Sequence, residues 1–75
     1  MINLPDYKRI HCIGIGGIGL SAIAEILISR GYEVSGSDMR ESEIIERLID
    51  EGANIYLGHR AKNVENVDLV IYSSA

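Results

Sequence analysis

A chain of 75 residues is at most one small domain, and its single cysteine, Cys12, excludes an intramolecular disulfide. The formal net charge of −4 argues against nucleic acid as a partner, because binding to a phosphate backbone requires a basic surface. The longest apolar stretch, residues 18–28, is too short to span a membrane and residues 1–9 do not resemble a signal peptide, so we expect a soluble, cytoplasmic protein without a membrane partner.

The first predicted element is a buried strand, Arg9–Ile13, that leads into a glycine-rich turn. Gly14, Gly16 and Gly19 have the G-x-G-x-x-G spacing, and a helical pattern follows over residues 18–30. A strand that turns sharply into a helix leaves the first N–H groups of the helix unpaired, and these groups attract phosphate oxygens. The first glycine is expected to allow the turn, the second to let an anion approach, and the third to let the helix pack closely on the strand.

The predicted first helix has an apolar stripe at the spacing of a core-facing helix, formed by Leu20, Ile23, Ala24 and Leu27. Ser21 is expected on a different face, in the first turn, where its hydroxyl reaches a bound phosphate. Gly31 follows the helix and predicts a left-handed residue at its end.

The second predicted strand, residues 32–37, is followed by a candidate ligand residue, Asp38. Asp38 comes 19 residues after Gly19, close to the offset of about 20 at which dinucleotide-binding folds place the acidic residue that binds a ribose hydroxyl. The alternative is that Asp38 is only a polar loop residue. Its position at the carboxyl end of a strand favours the ribose contact.

The second half of the chain repeats the alternation of helix and strand. A helix is predicted from the N-cap Ser42 to about Glu51, with a buried stripe of Ile44, Ile45, Leu48 and Ile49. Strands are predicted at Asn54–Leu57 and Val67–Ser73.

Each histidine allows two interpretations. His11 lies early in the first strand, away from the edge where ligands bind, and is interpreted as structural. His59 lies just beyond a strand, at the same edge as the glycine turn, so a ligand role and an idle loop position stay open for it.

The element order β-α-β-α-β-β predicts an α/β fold with a Rossmann-like parallel sheet. Both helices fall on one face, and residues 58–66 are too few for a helical crossover, so we expect little cover on the other face. The chain then represents the front part of a nucleotide-binding domain, and we expect it to self-associate or to have low stability. It contains no ATP-binding G-x-x-x-x-G-K-[ST] loop and no metal-ligand spacing, so neither a catalytic residue nor a metal site is predicted.

Many blocks of this sequence resemble the N-terminal domain of the UDP-N-acetylmuramate–L-alanine ligases of the Mur ligase family. The blocks are residues 11–21, 24–27, 31–38, 41–43, 46–48, 52–53, 58–59 and 73–75. Leu20 stands where this family usually has methionine, a volume-conserving difference.

The resemblance implies a three-domain bacterial enzyme in which this domain, residues 1–75, binds the UDP part of UDP-N-acetylmuramic acid. The absent central domain would bind ATP and Mg²⁺, and the absent C-terminal domain would help to bind L-alanine. No cofactor is expected in the chain itself, whose partners are the UDP-sugar and the other domains. The implied binding residues are the glycine turn for the diphosphate (Gly14, Ile15, Gly16, Gly17, Ile18, Gly19, Ser21), Ser37 and Asp38 near the ribose and uracil, and His59, Ser73 and Ser74 along the same edge.

Two alternatives belong to other functional classes. One is an NAD(P)-binding half-domain of an oxidoreductase, which the glycine spacing and the Asp38 offset support. The other is a regulatory nucleotide-sensing module, which has the same β-α-β beginning. The doubled Gly16-Gly17 and the Ser73-Ser74-Ala75 ending favour the ligase.

Overall fold

A computed structural model describes residues 8–73, and these residues form one parallel sheet with two α-helices. The elements in chain order are β1 (Arg9–Ile13), α1 (Ile18–Ser29), β2 (Glu33–Asp38), α2 (Glu43–Asp50), β3 (Asn54–Leu57), a short 3-10 helix (Ala61–Val64) and β4 (Leu69–Tyr72). The strand order is β3-β2-β1-β4, and every pairing is parallel. The predicted α/β, Rossmann-like sheet is confirmed.

Local sequence explains where the helices begin and end. Ser42 is the N-cap of α2, and its hydroxyl accepts a hydrogen bond of 3.2 Å from the Ile45 N–H. Gly31 follows α1 with φ of +89°, and Gly52 follows α2 with φ of +113°. Both values lie in the left-handed region that favours glycine. The predicted ends of both helices are therefore confirmed to within one residue.

Other details differ from the prediction. β2 begins and ends one residue later than predicted, and β4 is shorter, at Leu69–Tyr72. Ile49 is 50% exposed because it lies at the flank of the stripe, in the last turn of α2. Ser21 is buried rather than on a polar face. The 3-10 helix Ala61–Val64 was not predicted, because four residues carry no helical periodicity.

One face of the sheet, hereafter the helix face, holds the apolar core between the strands and both helices. The fully or nearly fully buried residues are Ile10, Cys12, Ile15, Leu20, Ala24, Leu27, Val34, Ile45, Leu48 and Ala53. Ile15 comes from the glycine turn and lies directly against Gly36 of β2, where a Cβ would overlap the Ile15 side chain. The core thus anchors the turn to the second strand.

The opposite face, hereafter the open face, carries His11, Ser35, Ser37 and Tyr56, which alternate with core residues along their strands. No α-helix of residues 8–73 covers it. The connection between β3 and β4 lies along it instead, as a right-handed crossover requires. Asn63 of this connection lines a pocket of about 240 Å³ together with Ser35 and Tyr56.

This connection corrects the expectation that little covers the second face. His11 is only 1% exposed, so the middle of the open face is shielded, whereas Val70 and Tyr72 on β4 are 38% and 69% exposed. Within residues 8–73, neither helix has the length and apolar character that a membrane crossing needs.

Candidate functional site

The parallel sheet places the carboxyl ends of all four strands at one edge. The glycine turn follows β1, Asp38 ends β2, His59 comes just after β3, and Ser73 follows β4. The structure therefore gathers the predicted site residues at one edge of the molecule. Ser74, which was also predicted, lies outside the described residues.

The glycine turn is folded over the end of β2. Gly14 has φ of +81°, which confirms that the first glycine allows the turn. The N–H groups of Gly14 and Ile15 both donate to the Ser37 carbonyl oxygen, at 2.8 and 3.1 Å, and the Gly17 N–H donates to the Gly14 carbonyl at 3.0 Å. These hydrogen bonds fix the path of the backbone before α1 begins.

Asp38 is bound to the glycine turn. Its Oδ2 accepts a 2.9 Å hydrogen bond from the Gly16 N–H, and its Oδ1 accepts from Met39 N at 2.8 Å and Arg40 N at 3.4 Å. A Cβ on Gly16 would lie 2.9 Å from Oδ2 and 3.2 Å from the Ile45 side chain, so Gly16 allows the close approach of this carboxylate, and the approach of a free anion to Gly16 stays a prediction. The carboxylate thus holds the turn in place, and a ribose contact for Asp38 stays a prediction.

The start of α1 is the part of the turn that is open to an anion. The N–H groups of Ile18, Gly19 and Leu20 lie in the first turn, where no intrahelical acceptor exists. The N-cap is Gly17, which has no side chain that could accept a hydrogen bond from them. The first intrahelical bond, 2.8 Å long, runs from Ser21 N to Gly17 O. Together with the helix dipole, this geometry suits phosphate oxygens.

Two other residues of the turn have surroundings that the sequence did not predict. A Cβ on Gly19 would meet no atom within 4 Å, so the third glycine is not required for packing the helix on the strand. Close packing at a glycine occurs instead at Gly36 of β2, which lies against Ile15 of the glycine turn. Ser21 is 4% exposed and its hydroxyl donates to the Ile18 carbonyl at 3.0 Å. Its contact with a phosphate stays a prediction.

The side chains around the edge are mixed in character. Ile15 is fully buried, so only its backbone can face a ligand. Ile18, Met39 and Leu57 are 86%, 69% and 56% exposed. Exposed apolar side chains beside the unpaired N–H groups would suit a ligand that has a flat or apolar part next to its phosphates.

On the open face, a chain of side-chain hydrogen bonds reaches the same edge. The His11 Nδ1 lies 2.8 Å from Ser35 Oγ, and its Nε2 lies 3.4 Å from Ser37 Oγ. The Ser37 hydroxyl, which is 1% exposed, lies 2.7 Å from the Nδ1 of the exposed His59. Burial, and to a lesser extent the nearby His59, lower the pKa of His11, which favours its neutral imidazole.

Sequence reasoning missed the partnership of His11 with Ser35. The signal was the parallel register, which pairs His11 of β1 with Ser35 of β2. The loop that carries His59 is held by two further bonds: Gly58 N donates to the Asp38 carbonyl at 2.8 Å, and Asn63 Nδ2 donates to the Gly58 carbonyl at 3.0 Å.

Cys12 and the acidic residues add no further chemistry. Burial raises the pKa of the Cys12 thiol to about 11, which favours the unreactive thiol form of this core residue. Residues 8–73 contain no group of three or more His, Cys, Asp or Glu side chains that could hold a metal ion.

The chain is similar to known proteins over most of its length. Residues 9–75 match the family model described as "Mur ligase family, catalytic domain". Proteins named UDP-N-acetylmuramate–L-alanine ligase are similar to the chain at 57% identity in Clostridium tetani, over 96% of the chain, and in Chlorobium phaeovibrioides, over 99% of it. The chain spans about 16% of the length of these relatives.

The chain is also similar to two solved structures of ligases. The crystal structure of UDP-N-acetylmuramate-alanine ligase from Thermotoga maritima matches with a TM-score of 0.84 and 42% identity, over 92% of this chain and 16% of that one. A murein peptide ligase from Psychrobacter arcticus matches with a TM-score of 0.82 and 27% identity, over 87% of this chain and 14% of that one.

Proposed function

The chain belongs to the Mur ligase family, and on this premise we propose that it is the part of a UDP-N-acetylmuramate–L-alanine ligase that binds the UDP end of UDP-N-acetylmuramic acid. The observation that carries the proposal is the convergence, at one edge of the sheet, of the glycine turn, Asp38 and His59 beside the open start of α1. The name shared by the relatives supports the choice of a UDP-sugar.

The diphosphate is bound by backbone N–H groups in this proposal. Ile18, Gly19 and Leu20 supply unpaired donors at the positive end of α1. No Lys or Arg occurs between Arg9 and Arg30, so the turn has no cationic side chain of its own. Binding would therefore depend on the geometry of the turn, which the link from Gly16 to Asp38 maintains.

The nucleoside and the sugar would extend along the same edge. We place the ribose and uracil near Ser37 and Asp38, and His59, Ser73 and Ser74 along the remaining edge. The exposed Ile18 and Met39 would provide apolar surface for the flat base.

The rest of the ligase would complete the reaction. We propose that ATP and Mg²⁺ bind in a central domain outside this chain, where the muramate carboxylate becomes an acyl phosphate that L-alanine attacks to form an amide. This chain then binds and orients the UDP-sugar and is not catalytic alone. Its partners are the other domains, and its location is the cytoplasm. The comparisons do not favour an NAD(P)-binding half-domain or a nucleotide sensor.

A binding panel on the full-length protein tests the proposal. We expect isothermal titration to give tighter binding for UDP-N-acetylmuramic acid and UDP than for NAD, because the four-stranded sheet of residues 8–73 corresponds to one mononucleotide-binding half of a dinucleotide-binding fold. Tighter binding of NAD than of both uridine ligands would contradict the proposal.

The contribution of the turn is tested with Gly17→Val. The Gly17 backbone has φ of −68° and ψ of 150°, which valine adopts readily. A Cβ on Gly17 would lie 3.3 Å from the Gly14 carbonyl oxygen, so the turn must shift by a few tenths of an ångström, and circular dichroism checks that the overall fold persists. The added side chain would block the approach to the helix start and lower the UDP affinity by about one to two decades, as expected for a lost hydrogen bond to a charged group. Ala22→Val, at an exposed position one turn further along α1, is the matched control and should retain the affinity. Equal UDP affinities for the two variants would exclude the helix start as the phosphate site.

A further inference from the structure

The buried His11 is connected to the edge of the sheet by side chains alone. Its Nδ1 lies 2.8 Å from Ser35 Oγ, its Nε2 lies 3.4 Å from Ser37 Oγ, and Ser37 Oγ lies 2.7 Å from His59 Nδ1. His11 and Ser37 are each 1% exposed, whereas His59 is exposed at the candidate site. A purely structural histidine needs partners for its two nitrogens, but it does not need a chain that ends at a ligand edge.

When both imidazoles are neutral and Ser37 donates its one hydrogen to a histidine, this chain of side-chain hydrogen bonds runs in one of two directions. A neutral imidazole has one donor and one acceptor nitrogen, and a serine hydroxyl has one hydrogen. In the first direction, Ser35 donates to His11 Nδ1, and His11 Nε2–H donates to Ser37. Ser37 then donates to His59 Nδ1, so a neutral His59 carries its hydrogen on Nε2.

In the second direction every hydrogen bond is reversed. His11 Nδ1–H donates to Ser35, Ser37 donates to His11 Nε2, and His59 Nδ1–H donates to Ser37. The Nε2 of a neutral His59 is then an acceptor. The Nε2 of His59, which is left for a ligand, is thus a donor or an acceptor according to the direction of the side-chain hydrogen bonds.

Ser37 connects these side-chain hydrogen bonds to the glycine turn. Its carbonyl oxygen accepts the N–H groups of Gly14 and Ile15, while its hydroxyl binds His59 on the open face. Its neighbour Asp38 binds Gly16. Consecutive residues of β2 therefore hold the turn from one side of the strand end and His59 from the other.

We propose that His11, acting through Ser37, is a positioning residue that orients the His59 ring and sets its tautomer, so that His59 Nε2–H donates to an anionic oxygen of the bound diphosphate. This inference rests on the proposed function, because it takes the nucleoside diphosphate as the ligand. A diphosphate oxygen is an acceptor only, so its binding selects the first direction of the chain. The assignment gives His11 and Ser35 a part in ligand binding although neither touches the ligand.

The test uses paired substitutions in the full-length protein, with UDP as the probe in isothermal titration. In His59→Gln the side-chain amide can place an N–H close to the position of Nε2, whereas in His59→Asn the shorter amide reaches only the position of Nδ1. We expect His59→Gln to bind UDP within about threefold of the wild type, and His59→Asn to bind it about ten- to hundredfold more weakly. Equal affinities for these two variants would overturn the assignment of Nε2 as donor.

Histidine ¹⁵N chemical shifts, which distinguish the two tautomers, give a readout that a merely structural role would not change. We expect His59 in the UDP complex to be protonated on Nε2 with Nδ1 as acceptor. In Ser37→Ala this preference should disappear and the UDP affinity should fall about tenfold, whereas Ser29→Ala, a hydroxyl lost at the far end of α1, should alter neither. A His59 that carries its only hydrogen on Nδ1 in the UDP complex, or an unchanged UDP affinity in Ser37→Ala, would refute the proposal.

Failure of the proposed function would look different. In that case the wild type itself would not bind UDP, whereas failure of this inference leaves wild-type binding intact and removes only the differences between variants. Ser37→Ala also leaves a buried histidine nitrogen without its partner. A second variant, Ser35→Ala, therefore tests the series of hydrogen bonds at the end that is distant from His59. It should shift the His59 tautomer populations without touching the edge, and an unchanged His59 spectrum would exclude coupling through His11.

Discussion

The two faces of the sheet are made by the same strands but have different kinds of side chains. On the helix face, Ile10, Cys12 and Val34 are at most 3% exposed within an apolar core. On the open face, the residues that alternate with them include His11 and Ser35, which are joined by hydrogen bonds. The difference indicates that the helix face supplies most of the folding free energy, whereas the open face contributes to the site at the strand ends.

The largest difference in stability between the two faces is expected when a core side chain is shortened. Leu27 of α1 is fully buried, so Leu27→Ala should lower the free energy of unfolding by about 2–5 kcal/mol. Val70 on the open face is 38% exposed, and Val70→Ala should cost less than about 1 kcal/mol. Urea unfolding followed by circular dichroism measures both. A cost for Val70→Ala equal to that of Leu27→Ala would show that the open face is packed as tightly as the core.

A second substitution sharpens the comparison at the point where the core meets the site. Gly36→Ala would place a methyl group against the Ile15 side chain, so Ile15 and the glycine turn must shift, at a cost of about 1–3 kcal/mol. Gly19→Ala is the control for stability, because its Cβ meets no atom within 4 Å and alanine favours a helix over glycine by about 0.5–1 kcal/mol. We expect urea midpoints that move in opposite directions. A destabilising Gly19→Ala would restore the packing role that the spacing of the glycines predicts for it.

Elements with a strong local signal could be predicted from the sequence. The apolar stripes of α1 and α2, the N-cap Ser42 and the glycines after both helices depend on neighbours in the chain, so periodicity and capping rules suffice for them. The parallel sheet followed from the alternation of strands and helices. The edge location of the glycine turn, Asp38 and His59 then followed from the strand ends.

The rest depends on contacts between residues far apart in the sequence. The bond from Gly16 to Asp38 and the proximity of Ile15 to Gly36 require the turn to fold back onto β2. The partnership of His11 with Ser35 requires the register of two strands 24 residues apart. Spacing along the chain identified Asp38 as a candidate ligand residue, but it did not show that the carboxylate binds the backbone of the turn.

The smallest expected effect concerns the end of the connection that lies along the open face. Asp68, just before β4, accepts hydrogen bonds of 2.9 Å at Oδ2 from the backbone N–H groups of both Arg9 and Lys8. These bonds, first that from Arg9 and then that from Lys8, hold the pKa of Asp68 below its usual range. They join the amino ends of β1 and β4 at the edge opposite to the candidate site.

The sign of the pH effect follows from the direction of this shift. A carboxyl group whose pKa is lower in the folded state stabilises the fold above its unfolded pKa of about 3.9, and it loses that contribution as the pH falls through the folded value. Asp68→Asn should therefore lower the urea midpoint at pH 7. The difference from the wild type should shrink as the pH falls below about 3.9, where the unfolded carboxyl is protonated, and it should vanish only below the lower pKa of the folded state. Because Asp68 is exposed, the difference is expected to be small, and Asp50→Asn at the end of α2 makes the same chemical change away from β1 and β4. If the urea midpoints of Asp68→Asn and the wild type differ by the same amount at pH 7 and pH 3, the carboxylate charge does not contribute to this link. The connection along the open face is then held by the 2.8 Å backbone hydrogen bond from Asp68 N to the Arg9 carbonyl.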